Sequence, residues 1–112
     1  MNIVVLQGKL SRAPEWRELE SGRVVSYDVT TRLEDGKAAT APVAWFAAPN
    51  AALEMDAGDD VVVVGHVHRR FFRSGGGTQS RTEVVADAVV PARSKKRAAA
   101  AIAKALEAAG SG

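Results

Sequence analysis

The stretch from Gly58 to Asp87 reads GDDVVVVGHVHRRFFRSGGGTQSRTEVVAD. It opens with a valine run, continues into basic and aromatic residues, and ends in a second β-rich segment after a glycine loop. Such runs, bounded by glycine-rich turn signals, are typical of strands. We therefore predict two long strands, Asp60 to Arg73 and Arg81 to Val90, joined by a mobile hairpin loop over Ser74 to Ser80.

Three further strands are predicted upstream of this pair. The first runs from Asn2 to Leu10, and Gly8 inside it marks a bulge or a close approach of another backbone segment. The second covers Arg23 to Thr31, where apolar and polar residues alternate. The third is short, from Val43 to Phe46, and follows a polar loop over residues 33–41.

A short helix is predicted between the third and fourth strands. Asn50 is placed to cap a helix over Ala51 to Asp56, with Leu53 and Met55 as its buried contacts. Three strands, a helix and two strands are the order of the OB-fold, an all-β, five-stranded barrel. Five β-segments alone also fit other small barrels and sandwiches.

The valine run raises a separate question about the fourth predicted strand. Val61 to Val64 make both faces of this strand apolar, whereas an edge strand with one face in solvent requires only one apolar face. The strand is therefore either central, or its outer face meets another subunit.

Length and composition limit the classes of function. A chain of 112 residues corresponds to one domain, and without cysteine it has neither disulfide bonds nor thiolate metal sites. No apolar run approaches the ~20 residues needed to cross a bilayer, and no charged leader precedes an apolar segment. We expect a cytoplasmic, nucleoid-associated protein with no membrane partner and no cofactor.

The positive charge is concentrated in the tail. Residues 1–90 carry ten Lys/Arg against twelve Asp/Glu, whereas residues 91–112 carry five against one. We predict that residues 1–90 form the barrel domain and that residues 91–112 form an Ala-rich basic helix, exposed or loosely docked. In that helix Ile102 and Leu106 share a face, and Gly110 is placed as the C-terminal cap.

With these residues in view, residues 1–90 resemble the bacterial single-stranded-DNA-binding protein family. The shared motifs keep their order and spacing: Met1-Asn2-Ile3-Val4, Gly8-Lys9-Leu10, Arg12-Ala13-Pro14-Glu15, Gly58-Asp59-Asp60-Val61, Gly65-His66-Val67 and Thr82-Glu83-Val84-Val85-Ala86-Asp87. The resemblance implies an OB-fold that coats single-stranded DNA without strong sequence preference. It also implies a homo-oligomer, with a tetramer favoured and a dimer as the alternative.

The chain departs from the family at several functional positions. The resemblance aligns Phe46 and Phe72 with two of the family's aromatic positions, but Thr40 stands near a position where the family has tryptophan. The family's acidic, phenylalanine-terminated end is replaced here by a short basic helix. We therefore expect a weaker or more specialised binder that does not recruit the partners of that acidic tip.

Single-strand binders need flat faces for bases and positive charge for phosphates. Alternation along the fourth predicted strand places His68, Arg70 and Phe72 on one face, with Arg69 and Phe71 on the other. The resemblance favours Phe72 with Arg70 as the face that meets the ligand. The candidate DNA-binding residues are Phe46, Phe71, Phe72, His68, Arg69, Arg70 and Arg73, together with Arg32 and Lys37.

Other interpretations stay open for several of these residues. The phenylalanines also suit core or interface packing, and the arginine cluster also suits a solvated strand end. For Trp45 a place in the core is favoured, and stacking on a base is the alternative. Trp16 is either a loop anchor or a stacking residue.

Catalytic chemistry is not indicated by the remaining motifs. The loop around Gly75 to Gly77 lacks the Gly-Lys-Ser/Thr ending of a phosphate-binding loop. His66 and His68 have no third metal ligand at a recognisable spacing. We therefore predict a protein that is not an enzyme and holds no metal. Its expected function is to bind single-stranded DNA during replication, repair or recombination; the alternative is a primosome-type OB-fold dimer that acts mainly as a protein-interaction module.

Overall fold

The computed structural model describes residues 1–111 as six strands, one 3₁₀ turn and a C-terminal helix. The elements are β1 (Val4–Leu10), β2 (Glu15–Leu19), β3 (Gly22–Arg32), β4 (Ala38–Phe46), the 3₁₀ turn (Asn50–Leu53), β5 (Asp60–Ser74), β6 (Gly77–Pro91) and α1 (Lys95–Ser111). The chain is mostly β, as the sequence predicts. Within residues 1–111, no helix has the length and apolar character needed to span a membrane.

Five of the strands pair into a closed ring. β5 lies between β1 and β6, β4 lies between β6 and β3, and β3 pairs back to β1. β4 and β6 are parallel, with Val43 opposite Val84 and Ala44 opposite Val85, and the other pairings are antiparallel. β2 lies outside the ring and pairs only with β3 among the described strands.

The interior of the ring is filled by apolar side chains from all five strands. The Tyr27 hydroxyl, at the centre of this core, donates a 2.7 Å hydrogen bond to the Ala52 carbonyl and so connects β3 to the 3₁₀ turn. Burial raises the pKa of Tyr27 well above its usual range, so this hydroxyl remains a donor. Fully buried members of the core include Leu10, Val25, Tyr27, Val29, Val43, Val61 and Val63.

Two sequence predictions about the core are confirmed. Trp45 is half-buried and packs against the core cluster. Gly8 lies where another backbone segment approaches closely, because a Cβ at this position would collide with the Thr30 carbonyl oxygen.

The outer face of the valine run is covered by α1. Val62 and Val64 on β5 form a second apolar cluster with Val90 on β6 and Ala98 on α1. Ile102 also packs against this cluster, whereas Leu106 is exposed, so the two do not share a buried face. The apolar outer face that the sequence allowed for another subunit is thus covered by this chain's own C-terminal helix.

β6 contains a one-residue bulge opposite the middle of β5. Val64 lies opposite Ala88 and Gly65 lies opposite Ala86, so Asp87 has no partner on β5. The extra residue shifts the alternation of side chains along β6. As a result, Ala86 and Val89 both face the core although they are three residues apart.

Two strand predictions needed correction. β2 was not predicted, because all five of its side chains are exposed and give no alternating pattern of burial. β4 begins at Ala38, inside the predicted polar loop, because its small residues extend the ladder with β3 as far as the pair Arg32 and Ala38.

The predicted hairpin loop and helix are both shorter in the structure. β5 and β6 continue to Ser74 and from Gly77, leaving a two-residue turn in which Gly75 and Gly76 have φ of 57° and 85°. Glycine adopts these positive values without strain.

The predicted helix over Ala51–Asp56 is a single 3₁₀ turn without a side-chain cap. Asn50 does not act as N-cap, because its Oδ1 accepts a 2.9 Å hydrogen bond from Arg23 Nη1. Leu53 and Met55 do contact the core as predicted. The predicted cap Gly110 lies inside α1, which continues to Ser111.

Candidate nucleic-acid interface

A groove of about 340 Å³ crosses the outer face of the ring from β2 to β5. Its rows of side chains follow from strand register, because directly opposite residues of a sheet point to the same face. In one row, Arg17 on β2 lies opposite Val24 on β3, which lies opposite Phe46 on β4. Residues lining the groove include Arg12, Arg17, Val24, Ser26, Ala44, Phe46, Arg70, Arg81 and Glu83.

Phe46 provides a flat aromatic surface in this groove. Val43 is buried in the core and Trp45 packs against it, so their neighbours Ala44 and Phe46 belong to the other side of β4. The Phe46 side chain is 42% exposed. It is therefore available to a base that enters the groove.

The two faces of β5 separate the predicted site residues as the alternation indicated. His68, Arg70 and Phe72 lie opposite Glu83, Arg81 and Gln79, all on the outer face. Val67 lies opposite the core residue Val84, so Arg69, Phe71 and Arg73 follow it on the other face.

The structure therefore brings Phe46 and Arg70 into one groove, with His68 and Phe72 on the same face of β5. Phe72 is 40% exposed and lies farther out along the hairpin. Phe71, at 66% exposed, belongs to the opposite face together with Arg69 and Arg73.

Arg32, the last residue of β3, and Lys37, in the β3–β4 turn, lie apart from these residues. Arg32 Nη1 donates a 3.0 Å hydrogen bond to the carbonyl of Gly36 in the turn. The Lys37 backbone amide donates to Asp35 Oδ1 at 2.9 Å. Neither residue lines the groove.

Ion pairs reduce the free positive charge of the groove. Arg12 contacts Asp28 at 2.7 Å and Glu15 at 3.1 Å. Arg70 Nε lies 3.9 Å from Glu83 Oε1. Arg17 and Arg81 form no ion pair with any residue among 1–111, so they are the cations most available to a ligand phosphate.

Sequence reasoning did not select Arg17 or Arg81. Arg17 was missed because it lies on the unpredicted strand β2. Arg81 was recognisable, since the pattern Arg81-Thr82-Glu83 begins a predicted strand and alternation places Arg81 and Glu83 on one face.

Trp16 is neither a core residue nor a buried loop anchor. It lies on β2, is 52% exposed, and has the Arg23 guanidinium 5.5 Å from its ring centroid. A cation at this distance over an indole ring is a favourable contact. One face of Trp16 is thus occupied by Arg23.

The groove suits an extended ligand with flat and anionic groups, because it combines an exposed ring with unpaired guanidinium groups. His66 and His68 belong to no group of three potential metal ligands within residues 1–111. The chain matches no protein-family model and no curated protein.

Proposed function

We propose that this chain is an OB-fold protein that binds single-stranded DNA in the groove between β2 and β5. The observation that carries the proposal is the presence of exposed Phe46 and half-buried Arg70 in the same groove, beside the unpaired Arg17 and Arg81. Bases stack on aromatic faces whatever their identity, and guanidinium groups pair with phosphates. The resemblance to the single-stranded-DNA-binding family supports the same assignment.

The order of the strands supports the OB-fold part of the proposal. The ring β1-β5-β6-β4-β3 has a parallel contact between β4 and β6 and a short turn between β4 and β5. With β2 set aside as an added arm, the turn falls between the third and fourth ring strands. OB-folds bind oligonucleotides on the face of the second and third strands, which correspond here to β3 and β4.

Phe72 extends the proposed binding surface beyond the groove. It lies two residues beyond Arg70 on the same face of β5, about 7 Å farther along the strand. A single strand that stacks on Phe46 and passes Arg70 therefore reaches Phe72 on the exposed hairpin. The proposed site is Phe46, Arg70 and Phe72 with Arg17 and Arg81, and His68 at its margin.

The charge balance of the groove supports moderate affinity for DNA. The role we propose is that of a specialised binder during replication, repair or recombination. Four arginines line the groove, but Arg12 is paired with Asp28 and Glu15, and Arg70 lies beside Glu83. Few phosphate contacts mean a shallow dependence of affinity on salt.

The test is a fluorescence anisotropy titration of oligo-dT with the full chain at low salt. Wild type should bind, and Phe46→Ala should weaken binding by about 1–3 kcal/mol, the usual contribution of one stacked base. Leu33→Ala, at a similarly exposed residue in the β3–β4 turn, is the matched control and should bind like wild type. Absence of oligo-dT binding by the wild-type protein refutes the proposal.

A second candidate is a homo-oligomeric module that acts mainly by binding proteins. It is favoured by exposed apolar side chains on the other face of the hairpin, where Val67 and Phe71 lie. Because α1 covers Val62 and Val64, assembly into a dimer or tetramer has to use a different surface, such as this one. Light scattering that shows a dimer with little oligo-dT binding would favour this candidate.

A further inference from the structure

A buried carboxylate lies in the proposed DNA groove, where negative charge is unexpected. Glu83 is 6% exposed, and its Oε1 accepts no hydrogen bond from any residue among 1–111. Burying a charged group without compensation costs free energy, so the charged residues around Glu83 indicate its role in the groove. On electrostatics alone, Glu83 repels phosphates.

The neighbours of Glu83 are two arginines that face each other. Arg70 on β5 lies directly opposite Arg81 on β6, and like charges at opposite positions repel. Glu83 is two residues beyond Arg81 on the same face, and His68 lies directly opposite it. Glu83 is therefore placed to offset the repulsion between the two arginines.

The contact with Arg70 leaves most of that guanidinium free. Arg70 Nε lies 3.9 Å from Glu83 Oε1, which is ion-pair range and longer than a hydrogen bond. A guanidinium has five N–H donors, and four of them lie on its two terminal nitrogens. These two nitrogens can bind two oxygens of one phosphate. The Arg70 side chain is 42% exposed, so these terminal nitrogens are accessible.

We propose that Glu83 is a positioning residue, which holds Arg70 through Nε so that its terminal nitrogens face a DNA phosphate. This inference rests on the proposed function. It leads to a result that simple electrostatics does not give: removing a negative charge from the groove weakens DNA binding.

The test is a set of oligo-dT titrations at several salt concentrations with the full chain. Glu83→Gln keeps the side-chain shape and should bind about threefold to tenfold more weakly than wild type. The slope of log affinity against log salt should fall by ~0.7, the value for one lost single-strand phosphate contact. Thermal unfolding of the variant checks that it remains folded.

A double-mutant cycle separates positioning from a general effect on the groove. Arg70→Gln should weaken binding as much as Glu83→Gln, and the double variant should be no weaker than either one. Arg69→Gln, on the opposite face of the same strand, is the control, and its effect should combine independently with that of Glu83→Gln.

Arg70→Lys keeps the positive charge but loses the Nε contact, so adding Glu83→Gln to this variant should not weaken oligo-dT binding further. Comparing Arg70→Lys with the double variant tests the inference if Glu83→Gln alone is unstable. Tighter binding by Glu83→Gln, an unchanged salt slope, or independent effects of Glu83→Gln and Arg70→Gln would each overturn the inference while leaving the proposed function intact. A wild-type protein that does not bind oligo-dT overturns both.

Discussion

The outer face of β5 has two ends with opposite character. At one end Val62 and Val64 are buried under α1, and at the other Arg70 and Phe72 are uncovered. Gly65 lies between the two ends, opposite the bulge of β6. One strand thus contributes both to the stability of the ring and to the candidate binding surface, and the boundary between these roles is a single glycine.

The largest expected effect is at that boundary. A Cβ at Gly65 would collide with the Val85 carbonyl oxygen and lie 2.9 Å from the Ala86 Cα, both of them backbone atoms. Gly65→Ala should therefore lower the free energy of unfolding by more than about 3 kcal/mol, measured by urea denaturation.

Gly77→Ala is the matched control for this substitution. Gly77 lies on β6 without a positive φ, and nothing lies within 4 Å of a Cβ built there. Its stability should stay within about 0.5 kcal/mol of wild type. Equal stability of the two variants would mean that the strands can part at the bulge without cost.

The covered end depends on one large side chain of α1. Ile102→Ala should lower the free energy of unfolding by about 1–2 kcal/mol, because Ile102 packs against the cluster of Val62, Val64 and Val90. Leu106→Ala, one turn later and 49% exposed, should change stability by less than about 0.5 kcal/mol. Thermal unfolding of both variants measures the contrast, and equal losses would show that Leu106 also contributes to docking.

The uncovered end should distinguish two adjacent phenylalanines. Phe72→Ala should weaken oligo-dT binding by about 1–2 kcal/mol, because Phe72 lies on the same face as Arg70. Phe71→Ala removes a more exposed ring from the opposite face, so binding should change by less than about 0.5 kcal/mol. A larger loss of affinity for Phe71→Ala than for Phe72→Ala would place the DNA on the face of the hairpin that carries Phe71.

The smallest expected effect concerns the basic residues before and within α1. Arg93 and Arg97 line a separate depression with Glu54 and Asp59, away from the groove. Replacing Arg93, Lys95, Lys96 and Arg97 together by glutamine should leave the salt slope of oligo-dT binding nearly unchanged. Arg81→Gln alone should lower the slope by ~0.7. Salt titrations of the two variants measure both slopes. A larger fall in slope for the tail variant than for Arg81→Gln would assign phosphate contacts to the tail.

The sequence predicted the ring strands because their burial follows simple patterns. In β3, Val25, Tyr27 and Val29 alternate with polar residues, and the valine run of β5 is apolar on both sides because both sides are covered. Alternation also separated Phe72 from Phe71 correctly. These predictions needed only the two-residue period of a strand.

What the sequence missed depends on partners distant in the chain. Glu15–Leu19 has no buried side chain, so its strand exists only through pairing with β3. Asn50 has the side chain of a helix cap, but its Oδ1 accepts a hydrogen bond from Arg23 on β3 instead. The alignment of Arg17, Phe46 and Arg81 in one groove requires the strand order, which local patterns do not contain.

Asp87, the unpaired bulge residue, reverses which residues of β6 face outward. Before it, odd-numbered residues Arg81 and Glu83 face outward, and after it the even-numbered Ala88 and Val90 do so. Deleting this one unpaired residue while the ladder from Val89 onward stays in place would turn Glu83 and Arg81 toward the core and Val84 toward the solvent. The charge pattern of the groove is therefore set by a residue that belongs to neither the groove nor the core.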